Sequence, residues 1–173
     1  MDRTNQRVRL RDGRTLGYAE YGALRGTPVI SFMGSGTRVL RPPDHVTAEK
    51  GVRLLVVERP GMGLSSFHPG RTLLDWPDDV VQLADALELE RFAVIGASGA
   101  GPYAAVCAYT LTNRLSAACL VRSPAPYDVP NIMNGMPPAI QMVVLLAQRL
   151  PKLLVWVQVC MAPLARRYPA WII

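Results

Sequence analysis

The stretch best suited to chemistry is Val94-Ile95-Gly96-Ala97-Ser98-Gly99-Ala100-Gly101-Pro102-Tyr103-Ala104, in which a serine is hemmed in by small residues. An apolar, β-prone run precedes Ser98 and a small-residue helical pattern follows it, so the serine is predicted at a strand-to-helix turn. A turn this tight needs neighbours without bulky side chains, and Gly96, Gly99, Ala100 and Gly101 meet that need while the Ser98 hydroxyl projects above the sheet. The helix start behind it supplies N–H groups and a positive dipole end for a developing oxyanion. The chemistry implied is nucleophilic attack on a carbonyl, which also requires a general base. The plainer alternative is a serine capping a helix N-terminus.

The elements that would position this serine can be read around it. Residues 6–11 and 15–21 are β-prone on either side of Asp12-Gly13, a hairpin signal. Pro28 to Met33 is a short apolar run that stops at Gly34-Ser35-Gly36, which predicts a buried strand entering a glycine-rich loop. A short helix is expected over 44–50, a buried strand over 52–57, and a helix capped by Asp75 and running to about Leu89. A strand over 91–95, a helix over 99–111 and a strand over 115–121 complete the pattern. Strands alternating with helices define an α/β fold, a mostly parallel sheet with helices on both faces, because parallel strands need crossover connections.

With these motifs in order, the sequence resembles the α/β-hydrolase fold family from Val8 to about Tyr127. Phe32-Met33-Gly34-Ser35-Gly36 stands where that family has its His-Gly oxyanion loop. Glu58-Arg59-Pro60-Gly61-Met62-Gly63-Leu64-Ser65 is similar to its Asp-Arg-Pro-Gly-x-Gly-x-Ser turn, and Ser98 occupies its nucleophile elbow. Met33 replaces the usual histidine of the loop, and Ala100 replaces the second glycine of Gly-x-Ser-x-Gly. The resemblance implies Ser98 as nucleophile, with Gly34 shaping the oxyanion loop and the backbone N–H groups of Ser35 and Gly99 as donors. The implied reaction is hydrolysis of an ester, amide or related bond in a small apolar substrate, without a metal or organic cofactor.

The remainder of the triad is where the sequence departs from the family. The family order is serine, acid, histidine, yet no histidine follows Ser98 and Asp128 is the one carboxylate after it. The resemblance therefore implies the N-terminal part of a hydrolase core, lacking its last strands and inactive as it stands. The alternative is a non-catalytic remnant that binds a protein partner or itself through an exposed sheet edge. His45 and His68 precede the elbow and read as exposed loop residues. Asp75, Asp78 and Asp79 read as first-turn acids that complement a helix dipole, and Glu58 and Arg59 as turn-stabilising. A dinucleotide-binding turn is disfavoured, since Gly96 to Gly101 lacks Gly-x-Gly-x-x-Gly spacing and the following strand ends in Arg122 without an acid.

Composition narrows the setting. Half of the 173 residues are hydrophobic and the net charge is +6, but the basic residues are scattered, so nucleic acid is not expected as a partner. Cys107 and Cys119 sit in core-like contexts; with Cys160 they make an odd set without metal-type pairing, which points to a reducing, cytoplasmic setting. From Ser123 the texture becomes proline-rich and then apolar. The expected organisation is a core over 1–123 and a partial lid over 124–173. That tail has Arg149, Lys152, Arg166 and Arg167 and no acid from Pro130 onward, but a membrane surface is not the expected partner.

Overall fold

The chain opens with an antiparallel hairpin, β1 (Gln6–Arg9) and β2 (Thr15–Gly22), turned by Asp12-Gly13 with Gly13 at φ +88°. In this computed structural model, residues 3–34, 38, 41–127 and 129–167 are described. β3 (Thr27–Met33), α1 (Asp44–Glu49), β4 (Val52–Val57), α2 (Trp76–Ala86), β5 (Phe92–Ala97), α3 (Gly101–Thr110) and β6 (Leu115–Val121) follow. Two further helices are α4 (Pro138–Arg149) and α5 (Pro151–Arg167). The chain divides into two compact units, Met1–Pro124 and Ala125–Ile173.

The first unit is a six-stranded sheet in the order β1-β2-β4-β3-β5-β6. β2 runs antiparallel to both β1 and β4, while β4, β3, β5 and β6 are mutually parallel. Alternation along β4 divides the core in two. Leu55 and Val57 join Ile30, Phe32, Val94 and the α2 and α3 residues Trp76, Leu83, Ala104 and Cys107, whereas Leu54 and Val56 join Ala19 and Tyr21 on the other face. Trp76 lies edge-on between Phe32 and Tyr103, with ring centroids 5.2 and 5.7 Å away. α1 packs against β2 and β4. The mixed, mostly parallel sheet is the α/β architecture that the alternation of elements implied.

Local differences from the sequence reading have identifiable causes. Asp75 does not cap α2 through its side chain. It closes a capping box with Thr72 around the 3-10 turn Leu73–Asp75, accepting from the Thr72 N–H at 2.6 Å and hydroxyl at 3.0 Å. α2 ends at Ala86 rather than near Leu89, because Glu88 takes φ +54° and the Leu89 N–H reaches back to the Ala84 carbonyl at 2.8 Å. Asp79, expected as a dipole-complementing surface acid, is buried and held by both terminal nitrogens of Arg14 at 2.9 and 2.6 Å. Cys107 is buried as expected, but Cys119 is exposed. It lies on β6, the last strand of the sheet, where residues 116–121 are exposed whichever way they point.

The second unit holds α4 and α5, which pack against each other, and Pro163 lies inside α5. Among the described residues no single helix is long and apolar enough to cross a membrane.

Candidate active site

β3 and β5 are parallel neighbours with Phe32 beside Gly96 and Met33 beside Ala97, so both strands end at the same level of the sheet. Gly34 and Ser98 are the next residues of their chains, and they meet at the carboxyl edge, where ligands of open α/β sheets bind. Ser98 has φ +53°, left-handed backbone that a non-glycine residue adopts only under constraint, and its side chain is exposed. The 3-10 turn Ser98–Ala100 leads into α3, whose first residues are Gly101 and Pro102. Serine thus sits on a sharp strand-to-helix turn.

Three glycines make that turn possible for different reasons. A Cβ on Gly96 would come within 2.5 Å of the Ala100 carbonyl oxygen and 2.7 Å of the Ala104 Cβ, so the strand end and the helix are in direct backbone contact. A Cβ on Gly101 would strike Ser123, just beyond β6. A Cβ on Gly34 would lie 2.9 Å from the Gly99 nitrogen and 3.1 Å from the Ser98 Oγ. Gly34 therefore keeps open the approach to the hydroxyl and the Gly99 N–H together. A Cβ on Gly99 would meet nothing within 4 Å among the described residues, and Ala100 is fully buried beneath the turn. Ser35, the second donor expected from the sequence, lies outside the described residues, as does Asp128.

The turn after β4 braces this edge. Glu58 is 1 % exposed; it accepts from Arg38 Nη1 at 2.7 Å and from the Leu64 N–H at 2.6 Å. The Ser65 hydroxyl donates to the Glu58 carbonyl, closing the turn. Arg59 does more than stabilise a turn. Its Nη2 donates to the Gly34 carbonyl at 2.5 Å, and its guanidinium lies 4.9 Å from the centre of the Tyr103 ring. It ties the loop after β3 to α3. Sequence reasoning missed this link because a long side chain beside Pro60-Gly61 carries no sign of what it reaches.

The histidines stand apart. His45 is exposed on α1, and His68 is half-buried, with its Nδ1 buried and without a hydrogen-bond partner among the described residues, so it is not the exposed loop residue the sequence suggested. It lines a cavity with Arg71 and Tyr103. Among the described residues neither imidazole is hydrogen-bonded to Ser98, and the arrangement shows a hydroxyl and a backbone donor without a base.

This sheet order, with a serine elbow after its fifth strand, is the α/β-hydrolase fold. The chain is similar to a hydrolase of Pseudomonas aeruginosa (TM-score 0.58, 24 % identity, 84 % of this chain and 54 % of that one). It is also similar to the esterase RhEst1 of Rhodococcus sp. (TM-score 0.56, 24 % identity, 69 % and 46 %) and to the epoxide hydrolase CorEH (TM-score 0.59, 17 % identity, 82 % and 49 %). Over 92 residues it is 32 % identical to the uncharacterized hydrolase YcgS of Bacillus subtilis, covering 53 % of this chain and 32 % of that protein. The chain thus spans about half the length of these solved structures and a third of the curated relative. No family model matches it.

Proposed function

We propose that this chain carries the nucleophile and oxyanion half of a serine hydrolase acting on an ester, amide or related bond of a small apolar substrate. Ser98 is the nucleophile, and the N–H groups of Gly99 and Ser35 receive the oxyanion. The observation that supports this most directly is Ser98 at φ +53° with its hydroxyl and the Gly99 nitrogen both facing Gly34. No metal or organic cofactor enters the reaction, and residues 124–173 belong to a partial lid segment. The setting is cytoplasmic, since an odd set of cysteines without metal-type pairing suits a reducing compartment.

Without a histidine after Ser98 the general base is missing, so the chain by itself hydrolyses p-nitrophenyl acetate only slowly. A turnover near ~10 s⁻¹, the median for enzymes, that disappears in Ser98→Ala would overturn the inactivity. A residual rate unchanged in Ser98→Ala would overturn Ser98 as the attacking group.

A second reading is favoured by β6, which ends the sheet with residues 116–121 exposed. Its unpaired N–H and C=O groups suit a remnant that associates with itself or with a partner by strand addition. Sizing chromatography with light scattering then shows dimers or larger species. A clean monomer at micromolar concentration removes self-association.

A further inference from the structure

Beyond Ser98, the loop between β4 and α2 packs against α3 to form a cavity of about 400 Å³, lined among others by Phe67, His68, Arg71, Thr72, Leu73 and Tyr103. That size falls within the ~300–1,000 Å³ typical of small-ligand sites. Its polar side is cationic. Arg71 Nη2 donates to the Tyr103 hydroxyl at 2.9 Å, and its guanidinium lies 5.5 Å from the ring centre, so the fork is held in a fixed plane. Arg59 stacks on the same ring.

Neither guanidinium forms an ion pair among the described residues. Asp12 and Asp75 are two carboxylates close enough to interact electrostatically with His68. Both are already engaged, Asp12 by Arg14 at 2.6 Å and Asp75 by Thr72. One buried nitrogen of this lining, His68 Nδ1, has no hydrogen-bond partner among the described residues. Unsatisfied polar groups of this kind are uncommon in folded proteins.

We propose that this cavity binds a small organic carboxylate, its oxygens on Arg71 and His68 and its apolar body against Phe67 and Leu73. A planar guanidinium matches a carboxylate through two parallel N–H donors, and because Nη2 spends only one of its two N–H groups on Tyr103, Arg71 keeps one edge, formed by the other Nη2 hydrogen with Nε or Nη1, to present. Phe67 and Leu73 are 73 % and 42 % exposed, apolar surface that an alkyl or aryl group would cover. The site stands independently of whether Ser98 is a nucleophile.

The test is calorimetric titration of the whole chain with sodium benzoate, benzamide and inorganic phosphate at constant ionic strength. Losing a hydrogen bond to a charged group is worth about tenfold or more in affinity. Benzoate is expected to bind at least that much more tightly than its neutral amide, and Arg71→Gln to weaken benzoate by a similar factor. Equal binding of benzoate and benzamide overturns the proposal, as does an Arg71→Gln variant that binds benzoate like the native chain. Tighter binding of phosphate than of benzoate overturns the carboxylate assignment. Should Arg71→Gln fail to fold, the comparison of benzoate with benzamide on the native chain decides.

Discussion

Replacing Ser98 with glycine is expected to stabilise the chain. At φ +53° an L-residue is strained by about 1–2 kcal/mol, which glycine does not feel. Against that stands the extra backbone freedom of glycine in the unfolded chain, about 0.5–1 kcal/mol. The exposed serine side chain makes no hydrogen bond among the described residues, so little packing is lost with it. The net gain is about 0.5–1 kcal/mol, or roughly 1–4 °C in melting temperature for a chain of this size. Ser98→Val should move the other way by about 1–3 kcal/mol, since a β-branched side chain tolerates this backbone least. Urea denaturation of the three proteins measures both changes. The competing view, an ordinary N-cap serine, requires extended backbone at 98 and gives the opposite sign, a loss of a few tenths of a kcal/mol in the glycine variant. A Ser98→Gly protein less stable than the native chain would therefore refute the strained elbow, whatever activity is found.

Two further perturbations probe the frame that carries the elbow. Arg14→Met strands the buried Asp79 carboxylate and should destabilise by about 3–5 kcal/mol, while adding Asp79→Leu should recover most of the loss; equal stability of the two variants in urea would contradict the buried pair. Burial pushes the Cys107 thiol up to about 12, so at pH 8 the native chain should react with Ellman's reagent at Cys119 and Cys160, with Cys107 following only on unfolding; prompt labelling of all three cysteines would place Cys107 outside the core.

The sequence by itself determined the order of elements and the place of the turn, because both are written in local chemistry. Apolar runs broken at Gly34, at Pro60-Gly61 and around Ser98 mark strand ends whatever the strands pair with. Small residues at 96, 99, 100 and 101 announce a crowded turn before any neighbour is known. The absence of a histidine after Ser98 is likewise a fact of the chain alone. What only the tertiary structure decided are relations between residues far apart in sequence. Asp79 looked like a surface acid in a helix's first turn until the hairpin brought Arg14 over it. Arg59 looked like part of a turn until the Gly34 carbonyl and the Tyr103 ring came within its reach. Cys119 has the neighbours of a core residue, yet β6 is the last strand of the sheet and leaves it uncovered. Burial and ion pairing depend on which elements become neighbours, and a side chain's own surroundings in the sequence do not encode that choice.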